Sequence, residues 1–297
     1  MVASRLRQAR LARFVDRGEE LSKFQAFIRS EEMTLFWVSG ESGLGKSSFL
    51  TKLLVEAIPR DLIVVELSGS NARQADPVDL MTSIANQVTS YKFEGFHHAL
   101  AEAQPDRLRL DIRSTGETVV AAGSEFNQSQ IGTIAGTNIE NINVNITPNV
   151  ASRLARDDLS RITDAFMIDL AEAFSTPGVI SIDAAERLPT RCHDWLMTEL
   201  IPIAIDRIQQ LRILVCSQRE PSLDDVLQPF VCACRLRPVG LEIVREYLKF
   251  YDIEKDVVEG AARAIFVSSQ GNMLAVATYA RQLAAFQQET GPGKQRY

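Results

Sequence analysis

The sequence predicts an α/β fold, in which helices flank a parallel sheet. Apolar runs at residues 35–38, 62–67, 179–182, 211–216 and 230–236 supply five candidate strands. The run at 62–67 barely alternates with polar residues, which suits a strand buried on both faces, as in a parallel sheet. Segments with helical spacing of apolar residues lie before the first run, at 19–29, and between the second and third runs, at 77–88 and 153–174.

The most specific signal is a glycine-rich loop at residues 40–47, with the sequence Gly-Glu-Ser-Gly-Leu-Gly-Lys-Ser. It matches G-x-x-x-x-G-K-[ST] in full, directly after a candidate strand and before a helical segment. Glycines let the backbone turn tightly and aim its N–H groups at an anion, and the helix N-terminus that follows favours negative charge. The predicted phosphate-binding residues are Gly40, Glu41, Ser42, Gly43, Leu44, Gly45, Lys46, Ser47 and Ser48.

Two side chains of this loop have distinct predicted tasks. Lys46 would reach the β- and γ-phosphates, and the Ser47 hydroxyl would ligate Mg²⁺. The short candidate strand before Asp183 places a second Mg²⁺ ligand at the carboxyl edge of the sheet. Glu186, three residues further on, is positioned to orient or deprotonate an attacking water, the alternative being a surface carboxylate paired with Arg187 or Arg191.

Composition narrows the class of protein. At 297 residues, two packed units are expected rather than one. The net charge of −6, from 32 basic and 38 acidic residues, argues against broad nucleic-acid binding. No apolar run has the length of a membrane span, and we expect no signal peptide. Four scattered cysteines do not form a disulfide framework, so a cytoplasmic location is expected.

Beyond the phosphate loop, three looser motifs resemble the STAND class of P-loop NTPases, of the bacterial NACHT- and AP-ATPase-like type. They are residues 14–21, Phe-Val-Asp-Arg-Gly-Glu-Glu-Leu; 181–188, Ser-Ile-Asp-Ala-Ala-Glu-Arg-Leu; and 271–274, Gly-Asn-Met-Leu. The resemblance covers residues 14–286. The chain departs from the family pattern at Asp16, Ala184 and Met273, where the family has Gly, an acidic residue and Pro.

The resemblance implies a parallel five-stranded sheet of order 5-1-4-3-2 and a small C-terminal helical lid, without the winged helix and repeats that usually follow. It also implies ATP as the nucleotide, with Val15 and Arg17 against the adenine and Met273 facing the nucleotide from the lid. Arg219, after the fourth strand, matches the family's γ-phosphate sensor, since a guanidinium contacts terminal phosphate oxygens in pairs. A structural ion pair of Arg219 with Asp224 or Asp225 is the alternative.

Residues 105–149 differ from the rest in being rich in Gly, Asn, Ser and Thr. Ile142, Val144 and Ile146 alternate with Asn, which predicts a half-buried strand. We expect an inserted hairpin or small meander that packs on its own domain or pairs its edge with another chain, the alternative being a polar loop. The predicted domains are a basic arm at 1–13, an NTPase core at 14–240 with the insert at 105–149, a helical lid at 241–289 and a disordered tail at 290–297.

These features together predict an ATP-dependent molecular switch that hydrolyses slowly. Its output would be self-association or signalling to an effector or sensor protein, and the resemblance implies a role in bacterial defence or regulation. Two rivals remain open. One is a scaffold that binds nucleotide without hydrolysing it, which Ala184 and Met273 favour; the other is an AAA+ helper ATPase associated with DNA.

Overall fold

The computed structural model describes residues 11–15, 17–59, 62–71, 75–103, 108–114, 117–122, 141–146, 156–251, 253 and 255–290. Five strands form the main sheet: β1 (Leu35–Ser39), β2 (Ile63–Ser68), β6 (Gly178–Asp183), β7 (Leu211–Cys216) and β8 (Val231–Arg235). Their order is β2-β6-β7-β1-β8, which confirms the predicted parallel sheet and its strand order. In this order β1 lies between β7 and β8, so the loop after β1 begins at the carboxyl edge of an internal strand.

Helices separate these strands along the chain. They are α1 (Gly18–Arg29), α2 (Lys46–Lys52), α3 (Pro77–Ala85), α4 (Glu94–Ala103), α5 (Arg156–Ala173), α6 (Thr190–Trp195) and α7 (Ile201–Arg207). Helix α2 continues as a π-helical turn, Leu53–Ala57, and α6 as another, Leu196–Leu200. Three further helices follow β8: α8 (Leu241–Leu248), α9 (Lys255–Ser269) and α10 (Met273–Thr290).

The predicted β-rich insert is a separate three-stranded antiparallel sheet. Its strands are β3 (Leu108–Ser114), β4 (Glu117–Ala122) and β5 (Asn141–Ile146), in the order β4-β3-β5. Strand β5 coincides with the alternating Asn and Ile residues, and Ile142 pairs with Ile112 of β3. Pairing of this sheet with another chain stays a prediction.

The chain divides into two compact units, one of Met1–Asp61, Asp183–Glu186 and Leu214–Tyr297, the other of Leu62–Ile182 and Arg187–Ile213. In the first unit, the fully buried rings of Phe24 and Phe27 pack on Phe36 with centroids 5.1 and 5.2 Å apart. Because these rings lie on α1 and β1, they fix α1 against the strand that leads into the loop. In the second unit, Phe93, Phe96 and Trp195 pack around Phe166.

The three C-terminal helices have a hydrophobic core of their own within the first unit. It includes Val244, Leu248, Ala262, Val276 and Ala280, all completely buried. We call these helices, α8 to α10, the lid. No helix in the described ranges is both long and apolar enough for a membrane span.

Of the predicted basic arm, only residues 11–13 lie in the described part of the chain. There the Arg13 guanidinium lies 5.2 Å from the centre of the Tyr251 ring and donates to its hydroxyl at 3.3 Å. The next residue, Phe14, stacks on Phe49 of α2 at 6.4 Å. Residues 13 and 14 thus contact both the lid and the helix after the glycine-rich loop. Arg5, Arg7 and Arg10 fall outside the described residues, as does the predicted tail beyond residue 290.

Candidate functional site

The glycine-rich loop joins β1 to α2 through backbone that only glycine adopts easily. Gly40, Gly43 and Gly45 have φ of +148°, +84° and +90°. A Cβ on Gly40 would lie 3.0 Å from the Leu236 carbonyl, whereas one on Gly45 would meet nothing within 4 Å. The absence of a Cβ at positions 40 and 43 therefore leaves room for neighbouring protein atoms. The space around Gly45 is open, as an anion-binding loop requires.

Lys46 reaches back over the loop that precedes it. Its Nζ donates to the carbonyls of Gly40 at 2.6 Å and Glu41 at 2.8 Å. Partial burial lowers the pKa of Lys46, while the acidic side chains of Glu186 and Asp183 act in the opposite direction. The ammonium group is thus half-desolvated and held by carbonyls, a state in which exchange for phosphate oxygens is favourable.

The lid contacts the same loop through the start of α10. The Asn272 side chain donates from Nδ2 to the Ser42 carbonyl at 2.8 Å, and the Leu274 N–H donates to the Gly43 carbonyl at 2.9 Å. Oδ1 of Asn272 meanwhile caps α10 by accepting from the N–H groups of Leu274 and Ala275. The Asn272 carboxamide therefore both caps the N-terminus of α10 and donates to the loop.

Arg17 holds the last carbonyl of the loop. Its Nη2 donates to the Leu44 carbonyl at 3.0 Å, and Nη1 donates to the Arg237 carbonyl at 2.9 Å and to Glu20 at 3.2 Å. The residue is only 8% exposed. Each carbonyl from residue 40 to 44 thus accepts a hydrogen bond from Lys46, the lid or Arg17, which leaves the N–H groups of the loop to serve an anion.

Ser47 and Asp183, the predicted Mg²⁺ ligands, lie in direct contact. Ser47 Oγ donates to Asp183 Oδ1 at 3.0 Å, and the Ala184 N–H donates to the same oxygen at 3.0 Å. Ala184 has φ of +53°, a left-handed conformation that is costly for a residue with a Cβ. Because the backbone turns so sharply here, the residue after Asp183 directs its N–H at the carboxylate.

A hydroxyl and a carboxylate 3.0 Å apart suit Mg²⁺, which prefers oxygen ligands and keeps several waters and phosphate oxygens. No cluster of three or more His, Cys, Asp or Glu able to hold a metal occurs in the part of the chain that the structure describes. The residues present therefore fit a metal that is bound mainly through a nucleotide, rather than an all-protein metal centre.

Glu186 and the segment after β7 are also brought together. Glu186 Oε2 accepts from the Gln218 N–H at 3.2 Å. Its other carboxylate oxygen has no hydrogen bond to any described residue, and the predicted alternative pairing with Arg187 or Arg191 is absent from the described ion pairs. A carboxylate held at one oxygen and open at the other is suited to accept a proton.

Residues 217–219, which we call the sensor segment, have every backbone N–H engaged. Ser217 donates to the Val38 carbonyl at 2.9 Å, Gln218 to Glu186, and Arg219 to Ser217 Oγ at 3.2 Å. The Arg219 carbonyl accepts from the indole N–H of Trp37 at 2.8 Å. The Arg219 guanidinium itself is exposed and makes no ion pair with Asp224 or Asp225 among the described residues.

Val15 and Met273, which the resemblance assigned to the nucleotide, pack in the hydrophobic core of the lid. Ser48 is the third residue of α2 and directly follows Ser47 of the loop. The structure brings Ser47 and Asp183 into contact and places Lys46 within electrostatic reach of Asp183 and Glu186. Contact of Val15 and Met273 with a nucleotide stays a prediction.

Two contributors escaped the sequence reasoning. Asn272 contacts the loop through its side chain. The signal that could have identified it is the preference for Asn immediately before the first turn of a helix. Trp37 supports Arg219, and a buried aromatic residue within a strand offers no pattern that indicates this.

In sequence, neither a family model nor a curated protein matches the chain. Solved structures similar to it include Cdc6p from Pyrobaculum aerophilum, at 13% identity over 93% of this chain and 64% of that chain, with a TM-score of 0.50. Aeropyrum pernix Orc1 in complex with DNA is 15% identical over 96% and 63%, also with a TM-score of 0.50. A Pyrococcus horikoshii STAND protein with a tetratricopeptide repeat sensor is 14% identical over 89% and 29%, with a TM-score of 0.49.

The chain thus spans just under two thirds of Cdc6p and of Orc1, and under a third of the STAND protein. The likeness to Cdc6p and Orc1 extends to the fold alone. It agrees with the strand order and the glycine-rich loop in identifying a P-loop NTPase fold.

Proposed function

We propose that this chain is an ATP-binding switch that hydrolyses its nucleotide slowly and passes the nucleotide state to its lid. The observation that carries the proposal is the loop itself, whose five carbonyls from residue 40 to 44 are all turned to protein donors. A loop held in this way keeps its N–H groups available for the phosphates before any nucleotide arrives.

In this proposal Lys46 leaves the carbonyls of Gly40 and Glu41 for the β- and γ-phosphates. Ser47 and Asp183 hold Mg²⁺, which when bound would neutralise charge on the phosphate oxygens. Glu186 accepts a proton from the water that attacks the γ-phosphorus, as the bond to the bridging β–γ oxygen breaks and ADP leaves. One oxygen of Glu186 is already engaged by Gln218, which is consistent with slow turnover.

The nucleotide state reaches the lid, in this proposal, through two residues that bind the loop directly. Asn272 and Leu274 bind the loop from the first turn of α10, so a change in loop geometry alters the docking of that helix. Self-association or signalling to a partner protein, in bacterial defence or regulation, is the output that the resemblance to STAND ATPases suggests.

Calorimetric titration with ADP and with a non-hydrolysable ATP analogue, both with Mg²⁺, tests the binding step. We expect binding by the natural chain and none by Lys46→Ala. Lys92→Ala, which removes an exposed lysine of the other unit, is the matched control and should bind as the natural chain does. Retained binding in Lys46→Ala would contradict the phosphate-cradle assignment.

The output and the rivals are tested separately. Mass measurement with ATP against ADP should show different assemblies, and identical species in both would count against the switch. Absence of phosphate release, unchanged by Glu186→Gln, would favour the non-hydrolysing scaffold, for which the alanine at position 184 is the supporting observation.

A DNA-associated helper ATPase is the second candidate function. It is supported by the fold-level likeness to Orc1, a structure solved in complex with DNA, over 96% of this chain. The net charge of −6 disfavours broad DNA binding but does not exclude a local site. Phosphate release that rises on addition of duplex DNA would favour this candidate over the switch.

A further inference from the structure

We infer that Trp37 is a positioning residue, which holds the backbone of Arg219 so that its guanidinium meets the terminal phosphate of a bound nucleoside triphosphate. This inference rests on the proposed function and deepens it. It starts from one hydrogen bond, the indole N–H of Trp37 to the Arg219 carbonyl at 2.8 Å, which joins residues 182 positions apart.

The first argument is the place of Trp37 in the sheet. It is the third residue of β1, only 2% exposed, and precedes the glycine-rich loop by two residues. Its partner across the parallel pair with β8 is Ala233, a small residue that leaves space for a large ring beside it. The same short strand thus carries both the loop and the support for the sensor segment.

The second argument is that the indole completes the fixation of the sensor segment. The three N–H groups of residues 217–219 already have acceptors, in Val38, Glu186 and the Ser217 hydroxyl. Trp37 donates to the carbonyl of Arg219, so the backbone of this residue is held at both its N–H and its carbonyl. A long side chain on a fixed backbone loses less freedom when it binds, so its contact with an anion is stronger.

The third argument concerns the arginine itself. Its guanidinium has no ion-pair or hydrogen-bond partner within the described residues, although its backbone is held at both the N–H and the carbonyl. A structural arginine is usually paired through its guanidinium instead, as Arg17 is in this chain. Rigid backbone with an unengaged charged group is the arrangement expected of a residue that awaits a ligand.

The variant Trp37→Phe removes the indole N–H and keeps an aromatic ring in the strand. An intramolecular hydrogen bond of this kind shifts an equilibrium by about fivefold, and this is the largest effect that its loss can have on the positioning of Arg219. We expect calorimetry to show an unchanged ADP affinity and an affinity for the ATP analogue about fivefold lower. Trp195→Phe is the control, since this second buried indole donates to Thr163 in the other unit, and it should change neither affinity.

Equal weakening of ADP and ATP-analogue binding in Trp37→Phe would mean a merely structural role and would overturn the inference. So would unchanged affinity for both nucleotides. If the natural chain binds neither nucleotide, the proposed function fails and the inference with it. The inference alone fails if the natural chain binds both nucleotides but Trp37→Phe shows no selective loss of affinity for the ATP analogue.

Fluorescence provides a test that does not depend on the folding of Trp37→Phe. In Trp195→Phe, Trp37 is the sole tryptophan, because the chain has two. Its emission should change with the ATP analogue and not with ADP, and the change should vanish when Arg219→Ala is added. An emission that responds equally to both nucleotides, or a response that persists without Arg219, would overturn the inference.

Discussion

Asn272 Nδ2 donates to the Ser42 carbonyl at 2.8 Å, a contact between residues 230 positions apart. The same side chain caps α10, so a single carboxamide serves two purposes that substitution can separate. Aspartate keeps the cap oxygen but loses the N–H donor, whereas alanine loses both.

We predict that Asn272→Ala lowers the free energy of unfolding by about 1 kcal/mol, because α10 loses its N-cap. Asn272→Asp should be destabilised less than Asn272→Ala, since aspartate is an equally good cap and loses only the contact with Ser42. Both variants should bind ADP about fivefold more weakly or worse, because the loop loses the Ser42 contact. Thermal unfolding and calorimetric titration measure the two effects. Full ADP affinity in both variants would show that the contact does not organise the loop.

Gly43 and Gly45 form a matched pair, since both have positive φ but differ in surroundings. A Cβ on Gly43 would overlap the Asn272 carboxamide, and one on Gly45 would meet nothing within 4 Å. We predict a cost of about 1 kcal/mol for Gly45→Ala from backbone strain alone, and a larger cost for Gly43→Ala.

A double-mutant cycle identifies the source of that excess. In an Asn272→Ala background, the carboxamide is gone, and the destabilisation by Gly43→Ala should fall to that of Gly45→Ala. Unfolding without nucleotide is the measurement, so that direct effects on the ligand do not enter. Strict additivity of Gly43→Ala and Asn272→Ala would show that a Cβ at position 43 does not overlap the Asn272 carboxamide.

Ala184 offers a stabilising substitution beside Asp183, one of the two predicted Mg²⁺ ligands. Its φ of +53° strains a residue with a Cβ, so Ala184→Gly should raise the free energy of unfolding by about 1 kcal/mol. The control is Ala285→Gly on the exposed side of α10, which should lower it by about 1 kcal/mol, as glycine does within helices. A loss of stability in both would mean that position 184 is unstrained in solution.

Three of the four cysteines, Cys192, Cys216 and Cys234, should resist modification in the native protein because they are buried. Burial raises the pKa of Cys192 to about 12 and of Cys234 to about 11, and raises that of Cys216 well above its usual range. A raised pKa keeps the thiol protonated at pH 8, and only the thiolate is nucleophilic.

We therefore predict that Ellman's reagent at pH 8 reacts first with the half-buried Cys232. The other three should react only on addition of guanidinium, and reaction of Cys234 in the native state should accelerate as the pH approaches 11. Rapid reaction of all four thiols in native protein at pH 8 would contradict the burial that the structure describes.

Much of the fold followed from local patterns. The strand, loop and helix around Gly40 to Ser47 are encoded by neighbouring residues, because glycine conformation and helix initiation are short-range effects. The alternation at residues 142–146 predicted β5 for the same reason, since a strand has a period of two. The strand order came from the resemblance to a known class and agrees with the structure.

The lid illustrates where local patterns do not suffice. The motif at residues 271–274 marked the turn that meets the loop, but it did not indicate that Asn272 makes the contact. The resemblance assigned Met273 to the nucleotide, and that contact stays a prediction. Which residue of a turn meets a distant loop depends on how the following helix is oriented. That orientation is set by the buried contacts of Val244, Ala262 and Val276, one from each of the three lid helices.

The sequence by itself determined that this chain has a glycine-rich loop of the P-loop pattern and that a parallel sheet supports it. It did so because glycine placement and apolar periodicity act between residues close together in the chain. Only the tertiary structure decided which distant side chains hold the loop and the sensor segment. Asn272 contacts Ser42 of the loop across 230 positions, and Trp37 contacts Arg219 of the sensor segment across 182. Arg17 joins Leu44 of the loop to Arg237, which lies 220 positions from it. Such contacts arise from the packing of whole elements, which no single stretch of sequence encodes.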